Sequence, residues 1–221
     1  MKDDVKPVRG RTPPALQART RRTRAAVIEA ARELFAERGY TATTIEAVGE
    51  RSETSQPTIY RLFGSKLAIL KAVIDVSIAG DDEPIAIADR PAVRKLLADP
   101  DPHDRIRRFA RLLRDLMART AHVHRLLADA ARSDADAASL LAEIARQRQD
   151  GQQRVARSLA RSGHLRPGLR ERDAADIIYG LASPEVYALL VIDRGWSGER
   201  YESWIAAILT DQLLDVSGRR S

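Results

Sequence analysis

Between Thr20 and Asp75 the chain breaks at short, nearly even intervals, and the residues at the breaks are helix caps. The spacing predicts a first helix from about Thr20 to Arg38. Ala26 or Val27, Ala30, Leu34 and Phe35 recur at helical steps, and Gly39 stands where a left-handed cap is wanted. Thr43-Thr44-Ile45-Glu46 reads as a capping box, with Thr43 as N-cap and Glu46 at the third helical position. The short helix it opens turns Ile45, Val48 and Ala47 inward and ends near Arg51 or Ser52. Ser55 caps a third helix whose Pro57 lies near the start, where a missing N–H costs nothing. Ile59 and Phe63 are four apart and face the core, which leaves Gln56, Thr58, Tyr60 and Arg61 for the other side. This is the layout of a helix-turn-helix, the unit that sets its last helix in a DNA groove.

Charge supports that direction once its position is considered. The chain of 221 residues carries a formal net charge of +6, and residues 1–24 hold eight basic side chains against Asp3 and Asp4, so the rest is formally neutral. A basic, proline-containing arm over residues 1–19 cannot pack a core and is expected to be disordered alone. It either follows phosphates or a minor groove, with an affinity that falls with salt, or is a solubilising tail. Residues 25–75 hold six basic and seven acidic side chains, so the arm should supply much of the long-range attraction. With no cysteine, disulfides, thiolate metal sites and cysteine nucleophiles are excluded. No run of about 18 apolar residues and no apolar leader is present. The expectation is a soluble, cytoplasmic protein without a membrane partner.

The run ARELFAERGY, the Thr43-Thr44 pair and Ser55-x-x-Thr58-Ile59-Tyr60-x-x-Phe63-Gly64-Ser65-Lys66 together resemble the head of the tetracycline-repressor (TetR/AcrR) family of bacterial transcription regulators. The resemblance covers about a quarter of the chain. It implies that the third helix enters the major groove, that Thr44 and Tyr60 contact phosphates, and that Lys66 meets the DNA backbone from the start of helix four. The DNA-facing positions become Thr44, Ser55, Gln56, Pro57, Thr58, Tyr60, Arg61 and Lys66, with Arg21 and Arg22 from the arm side. Gln56 suits adenine and the Thr58 methyl suits thymine. The turn departs from the family. Ser52-Glu53-Thr54-Ser55 stands where Ala-Gly-Val-Ser is usual, so Glu53 replaces a left-handed glycine and Thr54 an apolar residue.

Beyond Ile78 the pattern predicts helices throughout. Gly80-Asp81-Asp82-Glu83-Pro84 breaks helix four, Pro91 opens a short helix to Leu97, and a long run from His103 continues toward Arg132. A second long helix spans Ala135 to Ser162, with Leu141, Ile144, Val155 and Leu159 on one stripe, and Gly163 and Pro167 end it. Arg148 and Gln152 interrupt that stripe. Such groups either snorkel to solvent or line a cavity and orient a ligand. The resemblance implies an effector pocket in this body, and His124, Arg148 and Gln152 are the candidates for its polar lining. His122 and His124, two apart, fall on different sides of a helix and make a poor metal pair.

Ser183-Pro184 and Ser197 start the last helices. Tyr201, Trp204, Ile205 and Ile208 then lie on a face that needs a partner, either the body itself or a second subunit. The resemblance favours a dimer interface, assigned to Val186, Leu189, Leu190, Tyr201, Trp204, Ile205 and Ile208. The whole is expected to be an all-α chain in three parts after the arm: a three-helix DNA-binding head over 20–66, a helical effector-binding and dimerisation body over 67–216, and a disordered tail over 217–221. Its partners would be operator DNA, a second copy and an unidentified small-molecule effector. No nucleophile, base and orienting group form a motif, so neither catalysis, a cofactor nor a metal is expected. A DNA-binding dimer without an effector is the alternative.

Overall fold

The computed structural model describes residues 14–79 and 91–215, so most of the expected arm, the Gly80–Pro84 break and the C-terminal tail lie outside the described residues. The elements are α1 (Pro14–Ala42), α2 (Ile45–Arg51), α3 (Gln56–Phe63), α4 (Lys66–Ala79), α5 (Pro91–Ala98), α6 (Pro102–Ala130), α7 (Ala135–Arg161), α8 (Glu171–Leu181), α9 (Pro184–Tyr187), a π-helical segment Ala188–Asp193, and α10 (Gly198–Leu213). Among the described residues the single β-type pairing is an isolated bridge between Leu165 and Leu214. The chain forms two compact units that divide within α4, between Leu70 and Lys71.

In the first unit, Val27, Ala30, Leu34, Phe35, Val48, Ile59 and Ile69 are buried. The first helix is longer than its apolar spacing indicated, because Pro14 opens it and the arginines that follow are helical in propensity. Residues 14–19, expected to be part of a disordered arm, are therefore helical. The helix does not stop at Gly39 either. That residue, at φ 78°, kinks it, and the chain continues to Ala42. Thr43 repairs the broken turn: its buried hydroxyl donates toward the carbonyls of Gly39 (2.8 Å) and Leu34 (3.2 Å). The N-cap of α2 is consequently Thr44, one residue later than the capping-box spacing suggested, with its hydroxyl accepting from the Ala47 N–H at 3.1 Å.

In the second unit, α6 and α7 begin at aspartates. Asp101 accepts from the N–H groups of His103 and Asp104, and Asp134 from those of Asp136 and Ala137. The His103 N–H holds the Asp101 carboxyl below its ordinary pKa. The core joins Ile106, Phe109, Leu113 and Met117 of α6 to Val155 and Leu159 of α7, Ile178 of α8, and Tyr201, Ile205 and Leu209 of α10. Arg105 is buried at 3% exposure, and its guanidinium donates to neutral acceptors: the Asp99 carbonyl, the Ser158 carbonyl at 2.7 Å and the Ser162 hydroxyl at 3.1 Å. Ser158 lies in the last turn of α7 and Ser162 is its C-cap, where the helix dipole supplies partial negative charge in place of a carboxylate. The stretch from Glu171 to Asp193 is apolar enough to cross a membrane by length and composition, but Ser183 caps a new helix at Pro184 and divides it.

Candidate nucleic-acid interface

The head is held by contacts at its helix ends. Arg51, at the end of α2, forms a two-pronged bond with Glu37 of α1 (2.6 and 3.0 Å) and reaches Glu33. The bond to Arg51 holds the Glu37 carboxyl below its usual range. Gly49 of α2 is buried against the turn. Thr54 N–H donates to its carbonyl at 2.9 Å, and a Cβ at Gly49 would stand 2.8 Å from the Thr54 carbonyl oxygen. Nothing in the sequence marks Gly49, because a glycine within a helix carries neither a positive φ nor a cap.

The turn takes up at Glu53 the left-handed backbone that a glycine adopts freely. Glu53 has φ 50°, the one positive φ outside glycine among the described residues. A left-handed conformation at a side-chain-bearing residue costs about 1–2 kcal/mol. The Thr54 hydroxyl donates to the Ser52 carbonyl at 3.0 Å, which lets a polar residue occupy a half-buried place.

On α3, Ile59 is buried and Phe63 is only half-buried, a correction to its expected core role. Phe63 instead carries the Arg24 guanidinium of α1 4.5 Å above its ring, while Arg24 also approaches the Leu62 carbonyl at 3.4 Å. This cation at the C-terminal end of α3 suits the helix dipole and fixes α3 against α1. The opposite face presents Gln56, Pro57, Tyr60 and Arg61 to solvent, with Tyr60 52% exposed. Ser55 is the N-cap of α3, but its hydroxyl donates to the Thr58 hydroxyl at 3.0 Å instead of holding a backbone N–H. Arg21 and Arg22 lie exposed on α1.

Two residues expected to face phosphates have internal work. The Thr44 hydroxyl caps α2. The Lys66 ammonium donates to the carbonyls of Tyr40 and Thr43, both at 2.9 Å, and lies 4.3 Å from the centre of the Tyr40 ring. Lys66 thereby binds the start of α4 to the link between α1 and α2. Its place at a helix N-terminus was legible in the sequence; the carbonyls 23 and 26 residues earlier were not.

In the body, Arg148 and Gln152 reach from α7 to the backbone of the next helix. Both cap the C-terminal end of α8: Arg148 donates to the Tyr179 carbonyl at 3.0 Å and stacks 3.8 Å from that ring's centre, and Gln152 donates to the Ala182 carbonyl at 3.1 Å. The break at Pro184 leaves those carbonyls without helical partners, and α7 supplies them. His124 lies 3.9 Å from Glu185. Burial holds its pKa below the ordinary value, Glu185 opposes that shift, and Arg148 adds to it. Among the described residues no three His, Asp or Glu side chains are grouped to hold a metal.

Tyr201 and Ile205 correct the expected interface. Both are fully buried, Tyr201 edge-on to Tyr187 with ring centres 4.8 Å apart, so neither is available to another subunit. The three-and-four spacing of α10 marked one wide stripe, but its centre faces this chain's own core. Trp204 and Ile208 remain at the margin, half-buried. Ile208 lines an open groove with Ile177, Gly180, Leu181, Asp176 and Gln212. Val186 and Leu190 are half-buried, and Leu189 is 56% exposed on the π-helical segment.

Comparison with known proteins covers the same two units. Residues 27–73 match the family model of bacterial regulatory proteins of the tetR family. The HTH-type transcriptional repressor Rv3405c of Mycobacterium tuberculosis is 43% identical over 51 residues, which are 23% of this chain and 27% of that relative. The chain thus matches about a quarter of the length of its curated relatives. Likeness of fold extends much further. A SmeT–triclosan complex superposes with a TM-score of 0.68 at 18% identity, over 88% of this chain and 93% of that one. NalD of Pseudomonas aeruginosa, described as the secondary repressor of the MexAB-OprM multidrug efflux pump, gives 0.67 at 16% identity over 90% and 99%.

Proposed function

We propose that this chain, a TetR-family regulator by its head, is a homodimeric repressor that binds a palindromic operator and is released from it by a small molecule bound in the helical body. The observation that carries the DNA-binding reading is the outer face of α3: Gln56, Pro57, Tyr60 and Arg61 stand in solvent on a helix held by Ile59, Arg24 and the Gly49 turn. Gln56 reads a base edge, Thr58 offers its methyl, and Tyr60 with Ser55 and Arg61 positions the helix on phosphates. Arg21 and Arg22 extend the basic surface along α1. Lys66 and Thr44 act mainly by holding the helices that carry these groups.

The dimer is proposed to form through α8 and α10, using the Ile177, Gly180, Leu181 and Ile208 groove with Trp204 beside it, and two heads would then read two half-sites. A cytoplasmic location follows from a DNA partner. Ligand response is a population shift, in which an effector that favours the released state by about 1–3 kcal/mol weakens DNA binding about 5–150-fold. The SmeT–triclosan complex supports a chain of this fold taking a small molecule.

Footprinting on the DNA flanking the protein's own gene tests the reading. The expected result is a protected, two-fold symmetric site. Tyr60→Ala should weaken binding to all operator sequences alike, and Gln56→Ala should alter the preferred sequence. A wild-type affinity in the Tyr60 variant would remove α3 from the interface.

A further inference from the structure

The inward stripe of α7 changes in cover along its length. Leu159, Val155 and Gln152 are buried, whereas Arg148, Ile144 and Leu141 are half-buried. Gln152 therefore stands at the inner end of a stretch that the rest of the body leaves half open. Its amide has one orientation. The nitrogen donates to the Ala182 carbonyl, and a flip would set oxygen against oxygen. The amide oxygen is buried and receives no hydrogen bond among the described residues, while the residue as a whole is 4% exposed. A buried acceptor in that state bears its full desolvation penalty until a donor arrives.

The neighbouring polar groups have other partners. Arg148 is stacked on Tyr179 and bonded to its carbonyl, and His124 lies beside Glu185. A carboxylate placed at the inner end of this stretch would meet the Gln152 oxygen, acceptor against acceptor. A neutral molecule with a donor there would complete the amide and cover Ile144 and Leu141 with apolar surface.

We propose that the half-open stretch of α7 binds an uncharged, largely apolar molecule carrying one hydrogen-bond donor, which it gives to Gln152 Oε1. This rests on the ligand-responsive reading above and names the class of ligand that serves it.

A matched series tests the class: 4-ethylphenol, ethylbenzene and 4-ethylbenzoate, each titrated calorimetrically into the full chain at pH 7, where the phenol is neutral and the benzoate charged. The phenol should bind about 3- to 10-fold more tightly than ethylbenzene, the worth of one hydrogen bond, and the benzoate more weakly than either. Gln152→Met should bring the phenol to the ethylbenzene level with the circular dichroism unchanged. If that variant does not fold, the wild-type series decides by itself. Equal affinity for phenol and ethylbenzene, benzoate binding as tight as the phenol, or no binding by any of the three, as when an ordered water alone serves the amide, overturns the proposal. The two readings fail separately. Operator release by a carboxylate, insensitive to Gln152→Met, removes this ligand class and leaves the ligand-responsive regulator intact, whereas absence of any operator footprint removes the regulator and leaves the phenol titration as measured.

Discussion

In the head, threonine hydroxyls close helix ends from within a few residues, Lys66 and Arg24 tie the helices together, and the outer face of α3 stays in solvent; in the body, local caps start the helices and side chains between them serve their far ends. Thr44 caps its own helix three residues on, and Thr43 bonds carbonyls four and nine residues back. Arg148, Gln152 and Arg105 instead reach carbonyls 31, 30 and 53 residues away. Short helices cannot bury enough apolar surface to define themselves, so their ends must be specified locally. A long neighbouring helix can supply a cap from afar, as α7 does at the end of the 11-residue α8, and that break then depends on packing.

The strongest test of the head's half of that contrast is Gly49→Val. The added Cβ meets a backbone oxygen at 2.8 Å, so the turn must move; a loss of about 1–3 kcal/mol in urea denaturation and a marked loss of DNA binding are expected. Unchanged stability would mean that the turn yields freely. Next in size is the pair Thr43→Val and Thr44→Val. Removing the buried Thr43 hydroxyl should cost about 1–3 kcal/mol, and removing the exposed Thr44 cap about 1 kcal/mol. The reverse order would mean that the Thr43 hydroxyl contributes little to holding the broken turn.

Glu53→Gly should act in the opposite direction, raising the denaturation midpoint by about 1 kcal/mol of stability, because glycine adopts φ 50° without strain. A destabilised variant would assign the Glu53 side chain a contact that outweighs its backbone cost. The smallest effect separates the two units by pH. All four histidines lie beyond residue 100, so the head should be indifferent between pH 7 and 5. His124, whose folded pKa lies below its unfolded value, is protonated more readily in the unfolded chain. Its contribution to stability is present above the unfolded pKa of about 6.5 and is lost as pH falls toward the folded one. His124→Gln should flatten the fall in melting temperature over that range, and an unchanged slope would assign it to other groups.

Much of the head was legible because its signals are local. Gly39, Ser55 with Pro57, the Ile59 spacing and the left-handed demand at Glu53 each lie within a few residues of what they control. What was misplaced there, the cap at Thr43, depended on carbonyls brought close by the kink at Gly39, and so did the internal contacts of Lys66. In the body, helix boundaries came close: Pro91–Ala98 against Leu97, and Ala135–Arg161 against Ser162. The faces did not. Periodicity marks an apolar stripe but not which neighbour covers it, so Tyr201 and Ile205 were assigned to another subunit although they form the centre of this chain's own core.

The sequence by itself determined that the chain is helical, where most of its helices begin, and that its third helix turns a polar face outward, since caps and apolar spacing act over one or two turns. Tertiary structure decided which ends are capped from afar, which side of α10 is inside, and that Gln152 is left with one buried oxygen to satisfy. Those depend on the distance between groups 23 to 53 residues apart, which no local pattern encodes.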